Sequence, residues 1–186
     1  SKVPGEERYI AVLSDGLGSG IKASVLSTLT ASMNLSFRLR HEPIKNSVSW
    51  IMDTLPVDSQ RNISYSTFTI VDIDFDGDTT VIEYGNPSFF IIRNNEIILP
   101  ERNMLEVNQN DQKKNIDVSS FTLLENDRLI VASDGITQSG IGKSSMPFGW
   151  GIENLIGFVK DESIISCSVS ASDMAKHIVK KAVAND

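Results

Sequence analysis

Between residues 66 and 99 the chain writes two β-hairpins back to back, and that grammar limits the fold more than any other feature. Ser66-Thr67-Phe68-Thr69-Ile70-Val71-Asp72-Ile73 and Thr79-Thr80-Val81-Ile82-Glu83-Tyr84 alternate and are rich in β-branched residues, with Asp76-Gly77 as the tight turn between them. Ser88-Phe89-Phe90-Ile91-Ile92 and Glu96-Ile97-Ile98-Leu99 repeat the pattern across Asn94-Asn95. Further strands are predicted at 9–14, 118–123 and 128–133. Consecutive hairpins imply antiparallel sheets.

Helical periodicity occupies the two ends of the chain. Gly18 to about Arg40 reads as a long helix with Leu26, Leu29, Met33 and Phe37 as its apolar stripe. Ala23, Ser27 and Ala31 leave room for a neighbour to approach it closely. Pro43 opens a second helix, with Val48, Ile51, Met52 and Leu55 facing inward, and Pro56 closes it. Helical patterns return around 150–159 and 172–183. Helices segregated from hairpins describe a layered α+β domain and not a doubly wound parallel one.

Composition narrows the function classes. With 186 residues, 40% hydrophobic and 22% charged, the chain suits one soluble domain. No apolar stretch approaches the roughly 20 residues of a membrane helix, and the polar start, Ser1 to Arg8, has no signal-peptide core. The single cysteine, Cys167, rules out an internal disulfide and suits a reducing, cytoplasmic setting. A net charge of −7 without a basic stripe argues against nucleic acid.

Several motif matches fail on physical grounds. Asp72-Ile73-Asp74-Phe75-Asp76-Gly77 with Glu83 satisfies the EF-hand calcium pattern. An EF-hand needs flanking helices, and both flanks here are strand sequence, so a solvated hairpin turn is the better reading, with calcium as its alternative. Gly16-Leu17-Gly18-Ser19-Gly20-Ile21-Lys22 lacks the Gly-Lys-Ser/Thr run of a phosphate loop, and no Gly-x-Ser-x-Gly elbow surrounds Ser19. His41 and His177 are far apart, have no ligand partners at helical spacing and read as surface helix residues. Cys167 has no basic neighbour to activate it.

Two Asp-Gly corners remain: Ser14-Asp15-Gly16 and Ser133-Asp134-Gly135, each following an apolar β-run. An Asp at a strand end projects its carboxylate where the chain leaves the sheet, and the following Gly leaves its carbonyl open to a ligand. Two such corners suggest one shared site for a hard cation with oxygen ligands.

The first corner, running into a long helix as Ser14-Asp15-Gly16-Leu17-Gly18-Ser19-Gly20-Ile21-Lys22-Ala23, resembles a metal motif of the stage II sporulation protein E-type serine phosphatases. These are bacterial members of the metal-dependent, 2C-like protein phosphatase superfamily. Ala132-Ser133-Asp134-Gly135-Ile136 resembles their later metal motif. Tyr65-Ser66-Thr67 resembles the family's (Y/F)xT strand, and Gly85-Asn86-Pro87-Ser88 the Gly- and Pro-containing turn that precedes another of its hairpins. The resemblance implies a four-layer α-β-β-α sandwich with two central antiparallel sheets over residues 1–186. It implies that Asp15 bridges two Mn²⁺ or Mg²⁺ ions, that the Gly16 carbonyl completes one, and that Asp134 binds the other. Metal-activated water would then attack phosphorus in line, without a phosphoenzyme.

Ser14 and Ser133 read as local hydrogen-bond partners, and Asp173 as an N-cap. The family's Gly-Asp motif before the first strand and its final Asp-Asp-x-Thr strand have no counterpart here, and Asp186 cannot stand in for the latter. Truncation at both ends is the expectation. The implied function is a cytoplasmic protein serine/threonine phosphatase acting on a phosphoprotein, of which anti-sigma-factor antagonists are the family's common example. The helices at 21–40 and 44–55 match the family's regulatory elements, often found at homodimer contacts. The alternative is a non-catalytic regulatory or binding module that keeps the fold with an incomplete metal site.

Overall fold

A computed structural model of the chain describes residues 8–18, 20–56, 66–109, 112–161 and 169–186. Its elements run β1 (Tyr9–Gly16), α1 (Ile21–Leu39), α2 (Ile44–Thr54), β2 (Ser66–Ile73), β3 (Asp78–Tyr84), β4 (Phe90–Arg93) and β5 (Glu96–Ile98). They continue with β6 (Asn103–Gln109), β7 (Gln112–Thr122), β8 (Arg128–Ile130), α3 (Asp134–Thr137), α4 (Ile152–Asp161) and α5 (Ala171–Asn185). The chain is mixed α+β with two antiparallel sheets, as the hairpin grammar requires. Contacts divide it into two compact units, residues 1–86 with 100–123 and residues 87–99 with 124–186. No helix among the described residues is long and apolar enough to cross a membrane.

The first unit carries a sheet of order β1-β2-β3-β7-β6. Strand alternation sends Ile10, Phe68, Ile70, Ile82, Val107 and Ile116 to one face, where they form a core with Val48, Ile51, Met52 and Leu55 of the α2 segment. The inward residues expected of that helix are thus all buried. β6 escapes sequence reading because Asn103, Glu106, Asn108 and Gln109 are poor strand formers. Only Leu105 and Val107 show its inward face.

Helix α1 is rotated from expectation. Its fully buried residues are Ala23, Thr30 and Asn34, while Leu29 is 43% exposed and Leu26 half-buried. The cause lies at Gly16. A Cβ there would sit 2.3 Å from the Ala23 carbonyl oxygen, so the strand and helix backbones touch. With Ala23 fixed against β1, the helical period carries Thr30 and Asn34 onto the same face. Both polar side chains turn back on their own helix: Thr30 Oγ1 donates to the Leu26 carbonyl at 2.8 Å and Asn34 Nδ2 to that of Thr30 at 2.9 Å. Met33 and Phe37 still reach the core, Phe37 meeting Trp50 with ring centroids 5.5 Å apart.

The EF-hand-like run is a hairpin. Asp74 Oδ1 accepts the N–H groups of Asp76 and Asp78 at 3.1 and 2.9 Å, and Gly77 has φ 85°. Asp74, Asp76 and Asp78 are exposed, as expected of a solvated turn. Asp72 and Glu83 are not: they are 6% and 5% exposed. Asp72 is gripped by Arg8 (Nε to Oδ1 2.7 Å, Nη2 to Oδ2 2.5 Å) and by Arg38 Nε at 2.7 Å. This pair of guanidiniums ties the start of β1 and the last turn of α1 to β2. Arg8 Nη1 also meets Nδ1 of His41 at 3.0 Å. His41 is exposed just beyond α1 with φ 55° and does not lie within a helix.

The second unit holds a sheet of order β5-β4-β8, with Asn94 and Asn95 at φ 51° and 66° in the turn joining β4 to β5. Phe90, Ile92, Trp150, Leu155, Val159, Met174 and Ile178 build its core. Asp127 takes both Nε and Nη2 of Arg93, at 2.9 and 2.5 Å, and the Leu124 N–H at 2.8 Å. α5 begins with a reciprocal cap. Ser170 is the N-cap and accepts the Asp173 N–H at 3.0 Å, while its hydroxyl donates to Asp173 Oδ2 at 2.8 Å. Asp173 is therefore the first-turn partner and not the cap. Exposed His177 directs Nδ1 to the Asp173 carbonyl at 2.7 Å.

Two outcomes test this packing. Burial alone would raise the Asp72 pKa, but the hydrogen bonds and charges of Arg8 and Arg38 outweigh it and hold the carboxyl below its ordinary value. A lowered folded-state pKa gives stability that is present above the unfolded pKa, near 4, and is lost as pH falls through the folded one. Asp72→Asn should cost about 3 kcal/mol in urea unfolding at neutral pH and flatten the acid limb of stability; a loss below about 1 kcal/mol would contradict the clamp. Gly16→Ala should lower the metal-free stability by about 3 kcal/mol, because the clash is with backbone that cannot rotate away. An unchanged melting curve would contradict the close contact.

Candidate metal centre

Asp15 is the penultimate residue of β1 and stays within the ladder, opposite Thr67 of β2, with Gly16 opposite Ser66. The strand therefore runs through the first Asp-Gly pair instead of ending before it. Asp15 is half-buried, and its Oδ1 accepts the Gly16 N–H at 2.8 Å, which fixes the carboxylate against its own backbone. Oδ2 makes no hydrogen bond among the described residues. The Ala23 contact also requires glycine at position 16, a demand separate from any ligand role of the Gly16 carbonyl and invisible in the sequence.

A set of hydroxyls surrounds the Asp15 peptide. Ser66 Oγ donates to the Asp15 carbonyl at 2.9 Å and lies 2.8 Å from Ser14 Oγ. Ser14 Oγ donates to the Thr67 carbonyl at 2.7 Å, as expected of a local hydrogen-bonding serine. Thr67 Oγ1 donates to Asn86 Oδ1 at 2.6 Å, and Asn86 Nδ2 donates to Thr69 Oγ1 at 3.0 Å. Three stretches singled out in the sequence, around Asp15, Thr67 and Asn86, thus meet within the first unit. Tyr65 and Ser19, which belong to those stretches, lie outside the described residues, as does Cys167.

Asp134 belongs to the second unit and has a different setting. β8 ends at Ile130, and Asp134 is the first residue of the single helical turn α3, with Ser133 extended at the N-cap position. The Ser133 side chain makes no capping hydrogen bond. Asp134 is half-buried, and its Oδ2 accepts from Gln138 Nε2 at 3.1 Å. The two corners are alike in sequence but not in backbone: one is strand, the other the start of a helix. Asp186 is already engaged, its Oδ1 accepting the Gly140 N–H at 2.7 Å.

The donors at the Asp15 corner, a carboxylate and the Gly16 carbonyl, fit a hard divalent cation such as Mg²⁺ or Mn²⁺, which takes oxygen ligands and retains water. Asp15 Oδ2 is chemically suited to that role. Among the described residues no group of three or more His, Cys, Asp or Glu side chains gathers into a metal cage.

The sequence model of stage II sporulation protein E (SpoIIE) matches residues 5–185. No curated protein matches the chain in sequence. Among solved structures, the PP2C phosphatase domain with a fragment of the regulatory domain of the cell fate determinant SpoIIE from Bacillus subtilis is similar at TM-score 0.71 and 20% identity. That match covers 96% of this chain and 50% of the other, so this chain spans half the length of that relative. The S. agalactiae serine/threonine phosphatase is similar at TM-score 0.62 and 14% identity, over 98% of this chain and 88% of the other. The Mn-presoaked phosphatase domain of B. subtilis SpoIIE gives TM-score 0.51 and 15% identity, over 97% and 80%. At such identities the structural likeness speaks to fold, and the family match speaks to descent. The chain belongs to the stage II sporulation protein E family and has the fold of its PP2C-like phosphatase domains.

Proposed function

We propose that the protein is a Mn²⁺- or Mg²⁺-dependent serine/threonine phosphatase that hydrolyses phosphoserine on a partner protein in the cytoplasm. The observation that carries the reading is Asp15 in a chain of this family: one carboxylate oxygen is fixed by the Gly16 N–H and the other is left without a hydrogen bond among the described residues. The Mn-presoaked relative and the serine/threonine phosphatase relative support the choice of metal and of substrate class.

The chemistry is phosphomonoester hydrolysis: water adds to phosphorus, the bond to the serine oxygen breaks, and the alcohol leaves with a proton. A bound divalent pair supplies acidity to that water and positive charge to the phosphoryl oxygens. Asp15 would hold the ions, with Oδ1 kept in place by the Gly16 N–H so that Oδ2 needs no reorganisation to bind. The Gly16 carbonyl and Asp134 would complete the protein's share of the ligands. Neither His41, which meets Arg8, nor His177, which meets the Asp173 carbonyl, takes part in this scheme. The substrate would be a phosphoprotein of the anti-sigma-factor-antagonist kind, and the outer faces of α1 and α2 a homodimer contact.

Asp15→Asn should lower Mn²⁺-dependent phosphoserine peptide hydrolysis by about a thousandfold, while Asp134→Asn should raise the Mn²⁺ requirement. Activity that survives Asp15→Asn intact would contradict the assignment. Full Mn²⁺ binding with no hydrolysis of any phosphopeptide would favour a non-catalytic binding module.

A further inference from the structure

The hydroxyl network beneath Asp15 is more elaborate than a strand end needs. A threonine hydroxyl has one proton to donate. Thr67 Oγ1 stands 2.6 Å from Asn86 Oδ1 and 3.5 Å from the Asp15 carbonyl, so the proton goes to Asn86. Ser66 is then the donor to the Asp15 carbonyl, at 2.9 Å. Asn86 is itself oriented by Thr69, which accepts from its Nδ2 at 3.0 Å and is 1% exposed. Gly85, with φ 73°, brings the turn so close that a Cβ would lie 2.8 Å from Thr67 Cγ2. The turn is thus pressed onto the one threonine that stands opposite Asp15 in the ladder.

We propose that Asn86 is a positioning residue for the Asp15 corner: by holding the Thr67 hydroxyl it leaves Ser66 as donor to the Asp15 carbonyl, and so sets the peptide that aims the Asp15 carboxylate and Gly16 carbonyl at a divalent cation. The inference rests on the metal-dependent reading of Asp15. Without the Asn86 amide, the Thr67 proton would be redirected to the Asp15 carbonyl, which would then take two donors and turn. The effect passes through the Thr67 proton, so removing that proton should suppress the consequence of losing Asn86. Thr67→Val keeps the methyl packed against Gly85 and removes only the proton and acceptor.

The test is Mn²⁺ binding to the whole chain, followed by the electron paramagnetic resonance signal of free Mn²⁺, with thermal melts of the metal-free proteins beside it. Asn86→Ala should raise the Mn²⁺ dissociation constant about tenfold, in the range seen for groups that orient metal ligands. Its metal-free melting temperature should fall by only a few degrees. Thr67→Val, which has no proton to redirect, should bind Mn²⁺ as the wild type does, as should Thr67→Ser, and the Asn86→Ala, Thr67→Val double variant should regain the affinity that Asn86→Ala loses. A double variant as weak as Asn86→Ala would overturn the route through Thr67. Asp15→Asn that weakens Mn²⁺ while Asn86→Ala does not would overturn the positioning role and leave the reading of Asp15 standing. Mn²⁺ affinity unmoved by Asp15→Asn would overturn that reading itself. A wild-type chain that binds no Mn²⁺ would overturn both.

Discussion

Gly16 and Ala23 meet backbone against backbone, and the first unit is arranged around that contact. There is no space at Gly16 for even one carbon, since a Cβ would stand 2.3 Å from the Ala23 carbonyl oxygen. The contact decides which face of α1 is buried, and hence why Thr30 and Asn34 go in while Leu29 stays out. It also seats the helix directly on the residue that follows Asp15. At the other end of the same helix, Arg38 is bound to Asp72 of β2 together with Arg8. The helix is thereby fixed at both ends to the strands β1 and β2, and Asp15 stands between them in the ladder.

Those two anchors differ in how far the sequence reveals them. The hairpins are legible because Asp-Gly and Asn-Asn turns between β-branched runs leave few alternatives, and the α2 face is legible because Val48, Ile51, Met52 and Leu55 repeat at helical spacing. The Gly16 contact is only half legible. Ala23 shows itself as a small residue that admits a neighbour, but periodicity cannot say which neighbour arrives, so it assigns the inward face to the stripe of larger residues. Asp72 is hidden inside a calcium-loop pattern in which Asp74, Asp76 and Asp78 are solvated. Its partners lie 64 and 34 residues away, a separation that local grammar cannot encode.

At the candidate site the same division holds. Asp15, Gly16 and Asp134 are visible as Asp-Gly pairs after apolar runs, yet identical dipeptides adopt different backbones: β1 continues through Asp15, while Asp134 opens α3 after β8 has ended. The surroundings of each glycine account for the difference. Gly16 is held in the ladder opposite Ser66 and against Ala23, whereas Gly135 leads into Ile136-Thr137-Gln138, and Gln138 N–H closes a turn on the Asp134 carbonyl at 2.7 Å. Asn86 is visible in the sequence only as part of a turn, with nothing to link it to the Asp15 corner. Its importance arises only when Gly85 turns the chain back onto Thr67.

The central claim is that the Asp15 corner holds a divalent cation, and the most direct measurement is anomalous diffraction at the manganese edge from crystals of this protein grown with Mn²⁺. The predicted result is an anomalous peak within coordination distance of Asp15 Oδ2, at the mouth of the Ser14, Ser66 and Thr67 hydroxyl network. Manganese bound elsewhere, with Asp15 left without it, would contradict the claim.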